Sequence, residues 1–422
     1  MSWLLLTLNA MAHVGAPIDA IDAQAVAGPD GRLLEASIGL FWTDDGEDWR
    51  WICHEAVTTA DAVITPRYAA AGRRWLVNIP RLEQARTLED AVYWTDDGCS
   101  WSAATGLTGH EVPEVAIDEV GAVALAVTAD EDAESNHIYR STDGGQSFTA
   151  VKTVPAQRLT SVVMAPSALG TAMVGGVDTA GNGWLHWSSD RGETWDSHEV
   201  VEGEVLAMAL HPTDAKLGYA VIDGVGVETL LRTDDSGRTV STLLSPDGAL
   251  TDVEVEPTGG VWVSFAGNAY LYAEDGLEYE LVTDAPPGAG VGLADGLVML
   301  ATRFELVNEA LVEGTRDGGF TPRFTFLSVD GPLTCPTGSE GADICDPLYP
   351  VLIESLGEPL DTGGLPDGGD GGDDGEGGAG ASADDTAAPS PTADKDGTCG
   401  CRQGAWVLLL PLGLLFRRPR HD

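Results

Sequence analysis

"STDGGQSF", Ser141 to Phe148, sets a carboxylate between two hydroxyls, adds paired glycines and closes on an aromatic. Those ingredients suit a metal site, a phosphate grip or a turn, and comparing the chain with itself separates the three. "SSDRGETW", Ser188 to Trp195, repeats the template of hydroxyl, any residue, Asp, any residue, Gly, two residues and aromatic. "TDDSGRTV" from Thr233 and "TRDGGFTP" from Thr315 repeat it with Val240 and Pro322 in the aromatic place. "WTDDGEDW" from Trp42 and "WTDDGCSW" from Trp94 keep Asp, Gly and Trp but put Trp at the hydroxyl position, and "YAEDGLEY" from Tyr272 carries Glu274 in place of Asp. The acidic positions are then 44, 96, 143, 190, 235, 274 and 317, a period of about 45 residues that marks a repeat architecture.

The segments between copies identify the unit. "LTSVVMAPS", "TAMVGGVD", "GWLHWSS" and "TWDSHEVV" are short, rich in β-branched and aromatic residues, and bounded by Gly, Asp, Ser or Pro. That composition reads as strands. "VLAMALHP", "LGYAVID", "ETLLRT" and "TVSTLLS" repeat the plan. Four strands per unit is the blade of a propeller, so the chain is expected to be an all-β, seven-bladed β-propeller, with six or eight blades as alternatives because of the worn copy at Glu274. Helical periodicity is nearly absent, and "PRLEQARTLEDA", Pro80 to Ala91, is the one expected helix. Few residues precede the first copy. "FTPRFTFLSV" and "PLYPVLIESL" are therefore expected to supply a strand that completes blade 1.

The template resembles the Asp-box, or BNR, repeat of sialidases, sortilin-type receptor domains and related propellers, over residues 18–355. The resemblance implies that each motif forms the hairpin between the third and fourth strands of a blade, at the outer rim. A short Asp side chain accepts backbone amides ahead of it, Gly supplies positive φ, and the aromatic packs beneath the turn. By that reading the structural residues are Asp44, Gly46 and Trp49; Asp96, Gly98 and Trp101; Ser141, Asp143, Gly145 and Phe148; Ser188, Asp190, Gly192 and Trp195; Asp235 and Gly237; and Asp317 and Gly319.

No metal site is expected. "TDDSG" and "WTDDG" lack the alternating acids and distant Glu of a calcium loop, and the His residues are scattered rather than paired at ligand spacing. No Lys follows a glycine cluster as a phosphate loop requires. Sialidases carry an Arg-Ile-Pro segment, an arginine clamp, and a Tyr–Glu nucleophile; here "NIPR", Asn78 to Arg81, is a different order, and basic residues number 22 against 67 acidic ones. A glycosidase needs two carboxylates across a bond, and Glu228, Glu254 and Glu305 read as solvated strand-face residues. No G-x-S-x-G occurs. No catalytic residue and no cofactor are assigned.

A net charge of −45 argues against nucleic acid or an anionic membrane as partner of the folded part, while 43% hydrophobic residues suffice for a core. Trp42, Trp51, Trp75, Trp94, Trp184, Trp187 and Trp262 fall in strand-like runs and read as inter-blade core.

The termini address location. Trp3 to Leu8 is apolar and Ala10-Met11-Ala12 offers a cleavage site, so residues 1–12 read as an export signal, though one without a positive n-region. Residues 356–398 form a Gly/Asp/Pro-rich spacer that supports no packed core. Residues 399–422 join Cys399 and Cys401 to a short apolar run ending in Arg417, Arg418 and Arg420. This resembles the C-terminal sorting tags of myxobacterial surface proteins, which implies processing at Cys399 or Cys401 and membrane association through the tail. The remaining cysteines suit an oxidising compartment. Cys335 and Cys345 are near in sequence and are expected to pair locally, with Cys53–Cys99 as a second candidate disulfide. The sequence thus points to an exported propeller at the cell surface that binds a protein or glycan, with a glycan-acting hydrolase or a ligand-free structural protein as alternatives.

Overall fold

A computed structural model describes residues 20–357 apart from 27–30, 58–65, 80–90, 132, 167–168, 225–226, 246–248, 266–268, 295 and 304–306. The export signal, the helix expected at Pro80–Ala91 (except Ala91), Glu305, the spacer beyond residue 357 and the tag with Cys399 and Cys401 lie outside the described residues. Leu356 and Gly357, expected to open the spacer, end a packed helix instead. No helix among the described residues is long and apolar enough to cross a membrane.

Seven antiparallel sheets follow one another along the chain, each a meander whose strands pair in sequence order. They are the blades of a seven-bladed β-propeller. The innermost strands are Ala20–Ala25, Arg67–Ala71, Val115–Ile117, Gln157–Met164, Glu204–Leu210, Leu250–Val255 and Gly288–Ala294, for blades 1 to 7. Second strands read as unbroken apolar runs because neighbouring blades cover both of their faces. Ala124–Val127 is buried throughout, and Val261–Phe265 is buried up to its last residue. Outer strands are polar: in Thr149–Pro155 only Val154 is fully buried, and Pro155 and Pro322 sit on edge strands, where a missing N–H costs no ladder bond.

The ring does not close by sharing a strand. Blade 1 draws all four meander strands from Ala20 to Ile52, and "FTPRF" forms the outer strand of blade 7, Gly319–Phe324. The later residues add only Gly331–Pro332, laid parallel to Arg50–Ile52 on the outside of blade 1. The seam between blades 1 and 7 is side-chain work. Trp49 stacks on Phe324 at 4.3 Å, and Phe41 lies 5.3 Å from Phe324 and 4.8 Å from Phe326. Arg32 donates to Glu313 at 2.6 Å in a buried pair, and Glu313 also accepts from Arg323 at 2.8 Å.

"PLYPVLIESL" is helical, not a strand. Leu348, Leu352 and Leu356 recur every fourth residue and are buried, the spacing of one helix face. This helix, α1 (Asp346–Gly357), contains Pro350, which removes one ladder bond, and it follows a π-type turn, Gly341–Cys345. Neither the expected local disulfide Cys335–Cys345 nor the second candidate Cys53–Cys99 is formed. The pairs are Cys53–Cys345 and Cys99–Cys335, each with Cα atoms 5.4 Å apart. Proximity in sequence misled because Cys335 and Cys345 sit on a segment laid across the first two blades, so each meets a partner on a blade. Linking residues separated by 292 positions removes on the order of 5 kcal/mol of unfolded-state entropy in the chain-entropy account.

The repeated motifs form the hairpins between third and fourth strands. In blades 3 to 5 Asp143, Asp190 and Asp235 each accept from a hydroxyl two residues earlier and an amide four residues later. Asp190 takes Ser188 Oγ at 2.8 Å, Thr194 N at 2.8 Å and Thr194 Oγ1 at 2.5 Å. Asp143 does the same with Ser141 and Ser147, and Asp235 with Thr233 and Thr239. The first hydroxyl also accepts the glycine amide, as Ser188 Oγ does from Gly192 N at 2.9 Å. Two consecutive residues, such as Arg191 (φ 58°) and Gly192 (φ 76°), turn the chain through left-handed space.

Blades 1, 2 and 6 use a shorter turn, which moves the register by one. The acid engaged is Asp45, not Asp44; Asp97, not Asp96; and Asp275, not Glu274. Asp45 accepts from Glu47 N and Asp48 N at 2.9 Å and from Thr43 Oγ1 at 3.0 Å. Asp97 accepts from Cys99 N at 2.8 Å and Thr95 Oγ1 at 3.1 Å, and Asp275 from Leu277 N at 3.0 Å. Only one left-handed residue follows each acid, Gly46, Gly98 or Gly276, so Asp and Gly are adjacent and Trp42 and Trp94 never were the hydroxyl position. Asp44 is exposed, and Asp96 pairs with Arg74 at 2.7 Å. In blade 7 Thr315 Oγ1 accepts Gly318 N at 3.0 Å and Gly319 has φ 75°, while Asp317 accepts no such bond among the described residues.

Candidate functional site: the acid-lined channel

Residues of blades 1 to 6 line a central cavity of about 280 Å³, among them Asp22, Gln24, Tyr68, Glu114 and Glu254. Carboxylates reach it from blade 1 (Asp22), blade 3 (Glu114) and blade 6 (Glu254), with Glu35 behind Asp22 as its cross-strand partner and Asp252 two residues before Glu254 on the same strand. Protein packed on every side strips water from these groups even where an oxygen touches the lumen. Burial therefore pushes Glu35 up to about 8, and Glu114 and Asp252 up to about 7. Asp22 is also raised and Glu254 raised well above the usual carboxylate range, again by burial first; for Glu254 the charge of Asp252 adds to it. Arg67 opposes the shift at Asp22, Glu35, Glu114 and Asp252. Glu254 is thus a channel group and not a solvated strand-face residue, because its inner strand turns that face to the lumen.

Several of these side chains also knit blade to blade. Gln24 donates to Tyr68 O at 2.9 Å and accepts from Ala70 N at 3.1 Å, joining blade 1 to blade 2. Glu114 accepts Val162 N at 2.9 Å, and Asp252 accepts Val291 N at 2.9 Å. Glu228 accepts Leu250 N, so it too spans two blades. Trp51, Trp75, Trp187 and Trp262 are buried between blades, whereas Trp42, Trp94 and Trp184 are half-buried. Trp94 carries the Arg74 guanidinium 4.6 Å above its ring.

The two ends of the channel differ. The box turns and the first-to-second-strand connections lie on one face. Blade-to-blade and second-to-third-strand connections lie on the other, and there the three longest, those after Ile52, Asn78 and Ala103, all border blade 2. On this face His110 Nδ1 meets Asp130 Oδ2 at 2.6 Å and His110 Nε2 meets the Tyr139 hydroxyl at 3.0 Å. The arrangement has the order of a relay, but Tyr139 is buried and its phenol is raised by burial and by Asp130, the reverse of an activated nucleophile. His186, held by Ser197 and Gln157 and pushed down to about 3 by burial, is a neutral structural group. No group of three His, Cys, Asp or Glu placed to hold a metal occurs among the described residues. Sequence reasoning missed Asp22, Glu35, Glu114 and Asp252. The available signal was an acid within otherwise apolar inner-strand runs, as in "LTDVEVE".

The chain matches no protein-family profile, and no curated protein is similar to it in sequence. Solved structures that resemble it include the Dos1 propeller, at 10% identity and TM-score 0.47, covering 75% of this chain and 86% of that one. Hydrazine synthase of Kuenenia stuttgartiensis aligns at 11% identity and TM-score 0.49 over 71% of this chain and 96% of that chain. A puromycin-hydrolyzing peptidase of Mycobacterium tuberculosis aligns at 12% identity and TM-score 0.49 over 75% of this chain and 55% of the peptidase.

Proposed function

We propose that this chain is an exported β-propeller that acts as a non-catalytic binding module at the cell surface, taking a protein or glycan on the face that carries the long connections. The observation that carries the reading is that the three longest connections on that face, those after Ile52, Asn78 and Ala103, all border blade 2 beside an acid-lined channel. Recognition surfaces are built from loops on a rigid scaffold. Two disulfides between the blades and the C-terminal segment favour an oxidising, extracytoplasmic setting. The Asp-box resemblance supports a rim of structural turns that leaves the opposite face free. The resemblance of residues 399–422 to a sorting tag supports attachment through Cys399 or Cys401.

Crosslinking on whole cells and glycan and protein arrays test this reading. Thr108→Arg and Glu131→Arg, exposed on the long-loop face, are expected to abolish capture, while Val120→Arg, 72% exposed on the box face, leaves it intact. Equal loss from both faces, or a full-length chain retained in the cytoplasm, overturns it. The alternative of a glycan-acting hydrolase draws on the coupled carboxylates Asp252 and Glu254, since a carboxyl kept protonated near neutrality suits a general acid. Turnover of a polysaccharide that Glu254→Gln eliminates would select it.

A further inference from the structure

Behind one part of the channel wall lie polar atoms that the fold leaves unsatisfied. Between blades 1 and 2, Glu35 is 3% exposed and its Oε1 accepts no hydrogen bond; Tyr68, a cavity-lining residue, is 7% exposed and its hydroxyl has no partner. Native proteins rarely bury such groups empty-handed. They are neighbours: Glu35 and then Glu55 are the charges that act on the Tyr68 phenol. Asp22 stands across the ladder from Glu35 on the same face of the sheet, held by Gln24 Nε2 at 3.0 Å and its following amide at 2.8 Å. Aromatic rings wall the spot, with His54 6.4 Å and Trp101 6.3 Å from the Tyr68 ring.

We propose that this wall between blades 1 and 2, formed by Asp22, Glu35 and Tyr68 beside Arg67, is a binding site for a primary ammonium group, presented by a protein lysine or by a free amine. The inference rests on the binding-module reading and names the chemistry that module would take. An ammonium carries three donors and no acceptor, so it matches a place that offers two unfilled acceptors, Glu35 Oε1 and Tyr68 Oη, beside the Asp22 carboxylate, whose oxygens keep a second lone pair each. Charge points the same way. Glu35 of blade 1 and Glu55 of the following connection act on Tyr68. Asp22 acts on Glu35, on Glu114 of blade 3, and on Asp252 and Glu254 of blade 6, and Arg67 of blade 2 is the cation that acts on Asp22, Glu35, Glu114 and Asp252. A second cation relieves their mutual repulsion, whereas a neutral hydroxyl or an anion does not. The aromatic walls add cation–π attraction and cover an alkyl stem.

Calorimetric titration of the intact chain with n-butylamine, against n-butanol as neutral control, tests the site at pH 6 and pH 8 in two buffers of different ionisation enthalpy. Carboxyls that burial keeps protonated must ionise to receive the cation. Butylamine is therefore expected to bind at least about tenfold more tightly at pH 8 and to release a proton, by linkage. Glu35→Gln should weaken binding at pH 8 about tenfold and abolish the proton release. Tyr68→Phe should weaken it a few-fold without lowering the melting temperature, because no bond of that hydroxyl is lost. Butanol binding as well as butylamine, or unchanged affinity in folded Glu35→Gln, overturns the ammonium site. The binding-module reading fails separately: a partner captured on arrays equally by wild type and Glu35→Gln leaves the module standing and removes only the ammonium site. Tighter binding of a lysine peptide than of butylamine assigns the ammonium to a protein; the reverse assigns it to a free amine.

Discussion

Asp190 and Asp252 are the same side chain put to opposite uses. Asp190 sits at the rim in a turn that surrounds it with donors from Ser188, Glu193 and Thr194, and these hold its carboxyl below the usual range although partial burial opposes them. Asp252 sits on an innermost strand with two backbone donors, Val253 N and Val291 N, and burial beside Asp22 and Glu254 outweighs them. The rim turn pulls its donors from within five residues. The channel group owes its state to burial first and then to the charge of Asp22, far away along the chain in blade 1. Donor count decides the first and desolvation the second.

The comparison breaks first at the glycines. Gly192 has φ 76°, and a Cβ there would stand 2.4 Å from Leu125 Cδ2 of the preceding blade. Gly192→Ala combines left-handed strain with overpacking and is expected to cost about 2–4 kcal/mol. Denaturant unfolding checks it. A loss below 1 kcal/mol would mean that the turn moves as a flap and does not wedge two blades together.

That contact also explains what was legible. The turn is a local device, so its residues recur at fixed spacing and expose the blade count. Even there the register slipped where "TDDG" offered two acids, because only the hydroxyl two residues ahead, Thr43 or Thr95, identifies Asp45 or Asp97 as the engaged one. Each long turn also uses Ser147, Thr194 or Thr239, a hydroxyl just before the closing residue that the eight-residue template left unassigned. Closure and channel were illegible for the opposite reason. Cys53 finds Cys345 and Arg32 finds Glu313 only after seven blades have come round the ring, and Asp22 faces Glu254 only once six have formed. Nothing in the spacing along the chain records that proximity.

Smaller, but sharper, is the register test. Asp45→Ala removes the acceptor for two exposed backbone amides and for Thr43 Oγ1, and is expected to lower the denaturation midpoint modestly because water partly replaces it. Asp44→Ala touches no bond and should stay within about 0.5 kcal/mol. Equal effects of the two substitutions, read as shifts in denaturation midpoint, would reject the shorter turn.

The smallest effect at any one pH lies in the channel and appears only as a slope. Rim carboxyls such as Asp143, Asp190 and Asp235 are held low, so their contribution is present above the ordinary Asp range and is lost as pH falls through their lowered values. Channel carboxyls are raised, so in the folded chain they hold protons that the unfolded chain has released. Their contribution is complete below the ordinary Glu range and drains away as pH climbs through about 7 for Glu114 and about 8 for Glu35. Stability should therefore fall on both sides of a mildly acidic optimum, the rim setting the acid limb and the channel the alkaline one. Glu114→Gln keeps an oxygen for Val162 N and carries no charge at any pH. It should match wild type in melting temperature at pH 5 and exceed it by a degree or two at pH 8, flattening the alkaline limb while leaving the acid limb unchanged. Two parallel curves would mean that water in the channel solvates these carboxylates fully, and the contrast between rim and channel would then be one of position alone.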